Sequence, residues 1–575
     1  MTTASPATAA LKAFRYDRSE LLWGAGGQAR LSSARVVALG LTATVAEALK
    51  NLILPGLNRF LIVDDGLVTS RDLGTNFFLS GGDLGRRRAD AAVRELSELN
   101  PSCEGQSCAT SLAAIFTSDA SIRAFLTESE PTLLLVSSIV SLTQQQRLAA
   151  VVRASPRFAR VAIVSCLTNG LCGLIRVDAG ERFVVDAVTD ADLRVVDFRV
   201  LNPFSRLREF YERLDPAAGT VDSALFNHIP YMAVIYHALK RWRAAEGKPD
   251  DAVPSGYTSQ WQAVLKPHIE SFARTKTVVV DEGAPKEQRY LPDSFLDAIN
   301  QLGPRLNVGA NRNAPELYAL LKDQRATNPG PSDDPFWFVV HGVAKFRERH
   351  GGLMPVAPTI PDVETTTDLY RELQAIFRDQ AAADATEVHA DAQRAATAAG
   401  CAADHVSFET ARHMCGQVWD LRALSFPSTA EQCASMPWAA LDTRAPEALR
   451  WYAALIGAEV VAEQRGANGG VGLRPGESLS IGDHELPLGP EEALLRAAVR
   501  QRCSPDWYSQ TFANAVELSE IVRFGGGEPT PVASIVGAVT AQECVKLLQG
   551  LRVPLCFAAV YDGHANVIHV VDAKR

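Results

Sequence analysis

At 575 residues the chain has room for roughly three or four domains at about 150 residues each. Hydrophobic residues make up 47% and charged residues 21%, the balance of an ordinary folded, water-exposed protein. The net charge of −9 gives no reason to expect general nucleic-acid binding, which usually needs a basic face. Met1 to Ala13 lacks a signal peptide's basic start and apolar core, and the absence of an 18-residue apolar run predicts no membrane span. The expectation is a cytoplasmic or nuclear protein without nucleic-acid or membrane partners.

In chain order, Arg15 to Gly24 reads as a short helix leading into the first strand. Val36 to Leu39 is a short apolar run suited to a buried parallel strand, and Gly40 follows at the turn. Thr44 to Leu52 has helical spacing, with Val45, Ala48, Leu49 and Leu52 on one face, and Pro55-Gly56 stops it. Phe60 to Val63 is a second strand ending in Asp64-Asp65. This is a nucleotide-binding βαβ unit in outline. A phosphate loop of the form G-x-G-x-x-G, read from Gly40, would need glycines where Thr42 and Val45 stand.

Val68 to Phe78 reads as a loop. Leu84 to Leu99 reads as a helix whose first turn carries Arg86, Arg87 and Arg88, cations that oppose the helix dipole and therefore suggest a contact. Thr132 to Val136 and Val161 to Val164 are strands flanking a helix over Gln144 to Val152, a doubly wound α/β pattern. Leu174 to Val177 and Phe183 to Val185 look like strands paired with each other. A long helical region follows, with predicted helices at Phe204–Leu214, Asn227–Glu246, Pro292–Leu302, Pro315–Lys322, Pro335–His350, Thr366–Ala399, Asp404–Leu424 and Ala445–Glu463. Gly466 to Gly476 reads as a glycine-rich loop, and Pro490 to Arg500 and Ser504 to Leu518 as further helices. Arg523 to Pro529 is a turn, Pro531 to Leu548 a buried helix, and Leu555 to Tyr561 with Val567 to Val571 a hairpin. The pattern predicts an α/β domain over 12–200, a helical insertion over 201–500, and a return to the α/β domain over 501–575.

None of the ten cysteines (103, 108, 166, 172, 401, 415, 433, 503, 544 and 556) forms a C-x-x-C pair, which argues against a tetrahedral zinc site. Free, mostly buried thiols are the ordinary reading.

Several short runs resemble the activating enzymes of ubiquitin-like proteins. They are Tyr16-Asp17-Arg18 with Leu22-Trp23-Gly24, Lys50 to Gly56, Asp65-x-x-Val68 and Asn76-Phe77-Phe78-Leu79. Further along come Pro203-Phe204-x-x-Leu207-Arg208-Glu209, Phe336-Trp337, Thr359-Ile360-Pro361-Asp362, Arg523 to Pro529 and Ala541-Gln542-Glu543. The resemblance covers nearly the full chain and is nearest to the non-catalytic subunit of the heterodimers that activate Nedd-type modifiers. It implies a Rossmann-like, ThiF/MoeB-type adenylation domain, here inactive, interrupted by a large helical insertion without a catalytic cysteine. It also implies an obligate catalytic partner subunit that binds ATP and Mg²⁺, a Nedd-type modifier, and a conjugating enzyme as a further partner.

The residues argue for inactivity on their own terms. Active sites of this family use glycines for backbone approach to phosphate, where this chain has Thr42, Ala43 and Val45. They use an Asn-Leu-Asn-Arg-Gln run, matched here by Asp72 to Asn76 with Thr75 in place of the arginine. They use a lysine, matched by Arg88, and a Mg²⁺-binding aspartate after the strand Thr132 to Val136, yet Val136 to Arg147 contains no carboxylate. No cysteine precedes a threonine, as a catalytic one would in this family; Cys401, Cys415 and Cys433 read as packing residues.

One role carries over by resemblance: Arg18 would reach the partner's ATP in trans, against the ordinary reading of a surface charge or a salt bridge. Phe336, Trp337, His341, Phe346, Leu353, Pro355, Ile360 and Pro361 are the expected partner-binding residues outside the α/β domain. The alternatives are the regulatory subunit of a sumoylation-activating enzyme, a NAD-dependent oxidoreductase using Asp64 or Asp65 on a ribose, and an interaction protein with no link to adenylation.

Overall fold

The computed structural model describes residues 15–185, 197–219, 221–278, 286–303, 306, 314–433, 441–442, 446–465, 489–512 and 516–573. The glycine-rich stretch Gly466 to Gly476 and the side chain of Cys433 lie outside the described residues. The chain forms two compact units: residues 1–184 with 423–575, and residues 185–422.

The first unit opens with helix α1 (Asp17–Ser33). Strand β1 (Arg35–Leu39), helix α2 (Ala43–Ile53), strand β2 (Arg59–Val63), helix α3 (Arg88–Glu98) and strand β3 (Glu104–Cys108) come next. Helix α4 (Asp119–Ser129), strand β4 (Leu133–Ser137), helix α5 (Leu142–Ala154) and strand β5 (Ala162–Asn169) complete the doubly wound part, and strand β6 (Cys172–Asp178) follows. β1 pairs in parallel with both β2 and β4, in register Ala38↔Ile62 and Ala38↔Leu135. Successive β1 side chains point to opposite faces. Val36 and Ala38 therefore join the core under α2, while Val37 and Leu39 join the core shared with Phe125 of α4 and Leu148 of α5. Both faces are covered, which is why β1, β2 and β4 read as continuous apolar runs.

β6 pairs antiparallel with β5 through the turn at Gly170, not with Phe183 to Val185 as the sequence suggested. β3 was not anticipated, because Glu104-Gly105-Gln106-Ser107-Cys108 carries little apolar signal. The loop read over Val68 to Phe78 holds a short helix, Ser70–Thr75, and the helix read from Leu84 begins at Arg88, leaving Arg86 and Arg87 ahead of it.

The helical unit is built largely from the expected helices, and hydrophobic spacing did not reveal two of its longer elements. These are helix α6 (Thr258–Glu270) and a ribbon of Arg274–Val278 against Lys286–Tyr290. In this unit α7 (Pro335–Arg349) and α8 (Thr367–Ala398) pack so closely that a Cβ on Gly342 would meet the Val388 carbonyl oxygen at 2.4 Å. The helix expected over Asp404 to Leu424 is confined to Phe408–Gly416 and gives way to a strand, Leu421–Ser425.

The second boundary falls near residue 423, not at 501. Helix α9 (Pro446–Gln464) packs on the first unit's sheet, with Trp451, Tyr452 and Leu455 in one core with Leu167 and Leu174. A buried ion pair pins it: Arg176 Nη1 donates to Glu459 Oε2 at 2.9 Å, and Gln145 bridges both residues. Amphipathic spacing marked this helix correctly but could not say which core it would join.

Helix α10 (Thr530–Gln549) and the hairpin β7 (Ala558–Asp562) and β8 (Val567–Ala573) close the unit. The sheet has nine strands in the order Leu441–Asp442, β8, β7, β6, β5, β4, β1, β2, β3. By length and composition α10 could cross a membrane, against the expectation of no such segment. Its apolar surface is explained by packing on α2: a Cβ on Gly537 would lie 2.8 Å from the Thr44 carbonyl oxygen.

Candidate functional site: the crevice between β1 and β4

The strand order reverses between β1 and β4, so the loops after them flank the crevice where doubly wound sheets hold ligands. Gly40 ends β1 with φ of 76°, and a Cβ there would meet Ser137 Oγ at 2.3 Å. This glycine is therefore required by the β4 loop, without any phosphate. Ser137 Oγ donates to the Leu39 carbonyl at 3.0 Å and accepts from Ile139 N–H at 3.2 Å. Where a metal-binding carboxylate would be needed, a hydroxyl completes the backbone instead.

The amino end of α2 is capped by Thr42, whose hydroxyl accepts from Val45 N–H. The next donors in the turn are taken by a carboxylate from far along the chain. Glu528 Oε2 accepts from Thr44 N–H at 3.0 Å and from the Thr44 hydroxyl at 3.2 Å. Thr44 Oγ1 also lies 2.8 Å from Thr168 Oγ1. Burial pushes the Glu528 carboxyl above the usual carboxylate range, opposed by hydrogen bonds from Thr44, Thr42 and Ala43.

Asp64, at the end of β2, is equally occupied. It accepts from Leu41 N–H at 2.6 Å and Gly66 N–H at 2.8 Å, and the Arg88 guanidinium lies against both its oxygens at 3.0 and 3.1 Å. Arg88 also donates to Asp72 at 3.0 Å. Burial works against the Arg88 charge, but Asp64 and Asp72 overcome it and raise its pKa. The arginine cluster that seemed to oppose the α3 dipole is thus explained at Arg88 by two carboxylates. Thr75, in the arginine's position, donates its hydroxyl to the carbonyl of Arg71.

These residues do not fit ATP and Mg²⁺. The α2 donors are taken by Glu528 and the Asp64 carboxylate by Arg88, while side chains at Thr42 and Val45 replace glycines. Among the described residues no cluster of three His, Cys, Asp or Glu side chains is placed to hold a metal. Burial pushes the thiols of Cys103, Cys166, Cys172 and Cys415 up to about 12. Cys401 is half-buried, with its sulfur 3.9 Å from the Pro331 carbonyl oxygen.

Arg18 sits outside the crevice, on the exposed side of α1. Its backbone N–H donates to Asp17, and its guanidinium has no partner among the described residues. The rest of its motif is structural. Tyr16 is buried and its hydroxyl accepts from Asn100 at 2.7 Å. Gln28 links the Trp23 indole to the Pro55 carbonyl, and Gly56, with φ of 118°, makes room for Tyr16 and Gln28. α1 bends at Gly24, and Leu21 and Leu22 stand 87% and 58% exposed.

The expected partner-binding residues fare differently. Phe336, Trp337 and Phe346 are buried inside the helical unit, Trp337 under the Arg325 guanidinium at 4.0 Å. Pro355 and Ile360 are buried as well, and half-buried His341 is bound through Nδ1 to the Ala326 carbonyl at 2.8 Å. Leu353 is half-buried and Pro361 exposed. The segment's aromatic pattern is that of a core, and only Pro361 keeps an open face. Sequence reasoning placed Glu528 in a turn and in a run shared with the resembled family but gave it no role, and no spacing rule links it to Thr44.

Residues 16–133 match the ThiF family. Over nearly the whole chain there are curated relatives, each named NEDD8-activating enzyme E1 regulatory subunit. The Xenopus laevis protein is 28% identical over 94% of this chain and 94% of its own length. The Caenorhabditis elegans protein is 26% identical over 96% and 97%, and the Drosophila melanogaster protein 26% identical over 96% and 95%. The chain is thus similar over nearly its whole length to the NEDD8-activating enzyme E1 regulatory subunits, and the amino-terminal part of its α/β unit matches the ThiF family.

Proposed function

We propose that this chain is the regulatory subunit of a heterodimer that activates a Nedd-type ubiquitin-like modifier. The catalytic partner subunit holds ATP and Mg²⁺, adenylates the modifier's carboxyl terminus and carries the thioester cysteine. This chain supplies the second ThiF-type unit and the Arg18 guanidinium. The observation that carries the reading is the occupied crevice: the strands and helices of a nucleotide fold are intact, yet its ligand positions are taken by Glu528, Arg88 and Ser137. A fold kept while its chemistry is lost fits a subunit whose partner performs the reaction. Such a subunit would act in the cytoplasm or nucleus and come within reach of the conjugating enzyme.

Arg18 suits a role in trans because a guanidinium offers several donors in a fixed plane to phosphate oxygens, and this one is exposed and has no partner among the described residues. The full-length relatives carry the NEDD8 name, which speaks against the sumoylation alternative. Arg88 on Asp64 speaks against a ribose-binding oxidoreductase. The test is modifier-dependent ATP–pyrophosphate exchange. The purified chain should show none, and addition of the catalytic subunit with a Nedd-type modifier should produce it; exchange by the chain alone would overturn the proposal.

A further inference from the structure

Helix amino termini attract anions because their first N–H groups lack partners within the helix and the dipole is positive there. In the first unit this end of α2 faces the crevice, and the chain fills it from 484 residues away: Glu528 lies in the turn before α10 and reaches Thr44. That turn is fixed from several sides. Gly170 N–H donates to the Gly527 carbonyl at 2.7 Å, Arg71 donates to the Gly526 carbonyl at 3.0 Å, and Thr530 donates to the Thr75 carbonyl at 3.0 Å. Helices α2 and α10 themselves meet about two turns into α10, at Gly537.

We propose that Glu528 is a built-in anionic ligand of the α2 amino terminus, replacing the phosphate that a nucleotide would place there and clamping the two ends of the split α/β unit together. The carboxylate does what a phosphate oxygen does at such a terminus: it accepts from the first-turn N–H and the adjacent hydroxyl. It differs in being covalently part of the fold, so the crevice needs no nucleotide for its polar groups to be satisfied. Removing it would leave the Thr44 N–H buried and empty, a defect that a small oxyanion can repair. The claim is about folding of this chain and stands or falls separately from the proposed function.

The test uses the full chain, wild type and Glu528→Ala, followed by thermal unfolding in chloride, formate or phosphate at matched ionic strength. Glu528→Ala should unfold roughly 3–8 °C below wild type in chloride. Formate or phosphate should recover a substantial part of that gap, beyond the general salting-out shift that wild type also shows. Glu528→Gln, which keeps one acceptor oxygen, should fall between the two. An unchanged Tm for Glu528→Ala, or equal oxyanion shifts in both proteins, would overturn the proposal. If Glu528→Ala does not fold, Thr44→Val, which removes one donor and keeps the shape, should lower Tm by a smaller amount and narrow the gap between Glu528 and Glu528→Gln backgrounds; additive losses would then overturn it.

Discussion

In the crevice at the ends of β1 and β4, Asp64, Arg88 and Glu528 are each held by several partners, whereas on α1 the Arg18 guanidinium has none among the described residues. The two regions are joined through the same short segment: Tyr16 and Gln28 fasten α1 to Pro55-Gly56, just past the end of α2. One region turns its polar chemistry inward and the other leaves it at the surface. Buried polar groups without partners are costly, and the groups lining this crevice satisfy one another. An exposed arginine carries no such requirement.

The sharpest way to break this comparison is to remove the outward charge. Arg18→Ala should leave the Tm of the chain nearly unchanged, because the side chain is exposed and unpartnered. In the reconstituted heterodimer it should lower the adenylation rate roughly 10²–10³-fold, the scale on which one transition-state donor acts. Unchanged kinetics would reduce Arg18 to an ordinary surface residue.

The mirror experiment removes an inward charge. Arg88→Ala leaves Asp64 and Asp72 without their cation, and Asp64 is almost fully buried. The expected loss is about 2–3 kcal/mol, below the range for a wholly buried pair because Arg88 retains some solvent contact. Chemical denaturation would measure it, and activity of the heterodimer should fall only in proportion to the unfolded fraction. A specific rate defect at full folding would mean the crevice still takes part in chemistry.

Gly537→Ala tests the clamp from its other side. The added methyl would lie 2.7 Å from Glu47 Cβ and 2.8 Å from the Thr44 carbonyl, so α2 and α10 must separate. Overpacking costs about 1–3 kcal/mol, against about 1 kcal/mol gained in helix propensity. A net loss of about 1 kcal/mol is expected. A more stable variant would show that the two helices are not held at this distance.

Much of this was legible in the sequence, for identifiable reasons. Strands buried on both faces announce themselves as apolar runs, so β1, β2 and β4 were placed to within a residue or two. The missing glycines at Thr42 and Val45 were legible as a departure from a phosphate loop, and in the structure Thr42 caps α2 while Glu528 accepts from Thr44. What filled the crevice was not legible, because Glu528 and Thr44 are distant in sequence and only the sheet brings them together. Phe336 and Trp337 were misread for a related reason: an aromatic run marks a core and a docking surface alike, and only the positions of α7 and α8 decide between them. Composition could not show β3, whose residues are polar, nor that α9 joins the sheet through Arg176 and Glu459.

The smallest expected effect concerns the loop after Asn76, which carries Phe77 at 82% exposure. This loop is stiffened by Asp83, which accepts from the Ser80 hydroxyl at 2.7 Å, the Ser80 N–H at 3.0 Å and Arg94 at 2.9 Å. Those donors, the Ser80 hydroxyl foremost, hold the Asp83 carboxyl down at about 2. An unfolded aspartate titrates near ~3.9. The folded state therefore binds the proton less readily, and the stabilisation from Asp83 is fully present above about pH 4 and is lost as pH falls toward about 2. Asp83→Asn should lie below wild type in Tm by a constant margin at neutral pH, and the margin should close over that acidic window. A margin that stays constant down to the lowest accessible pH would show that Asp83 acts through shape alone. If it closes as expected, the loop bearing Phe77 is fastened by charge, as the crevice is, while Phe77 itself, like Arg18, remains turned to the surface.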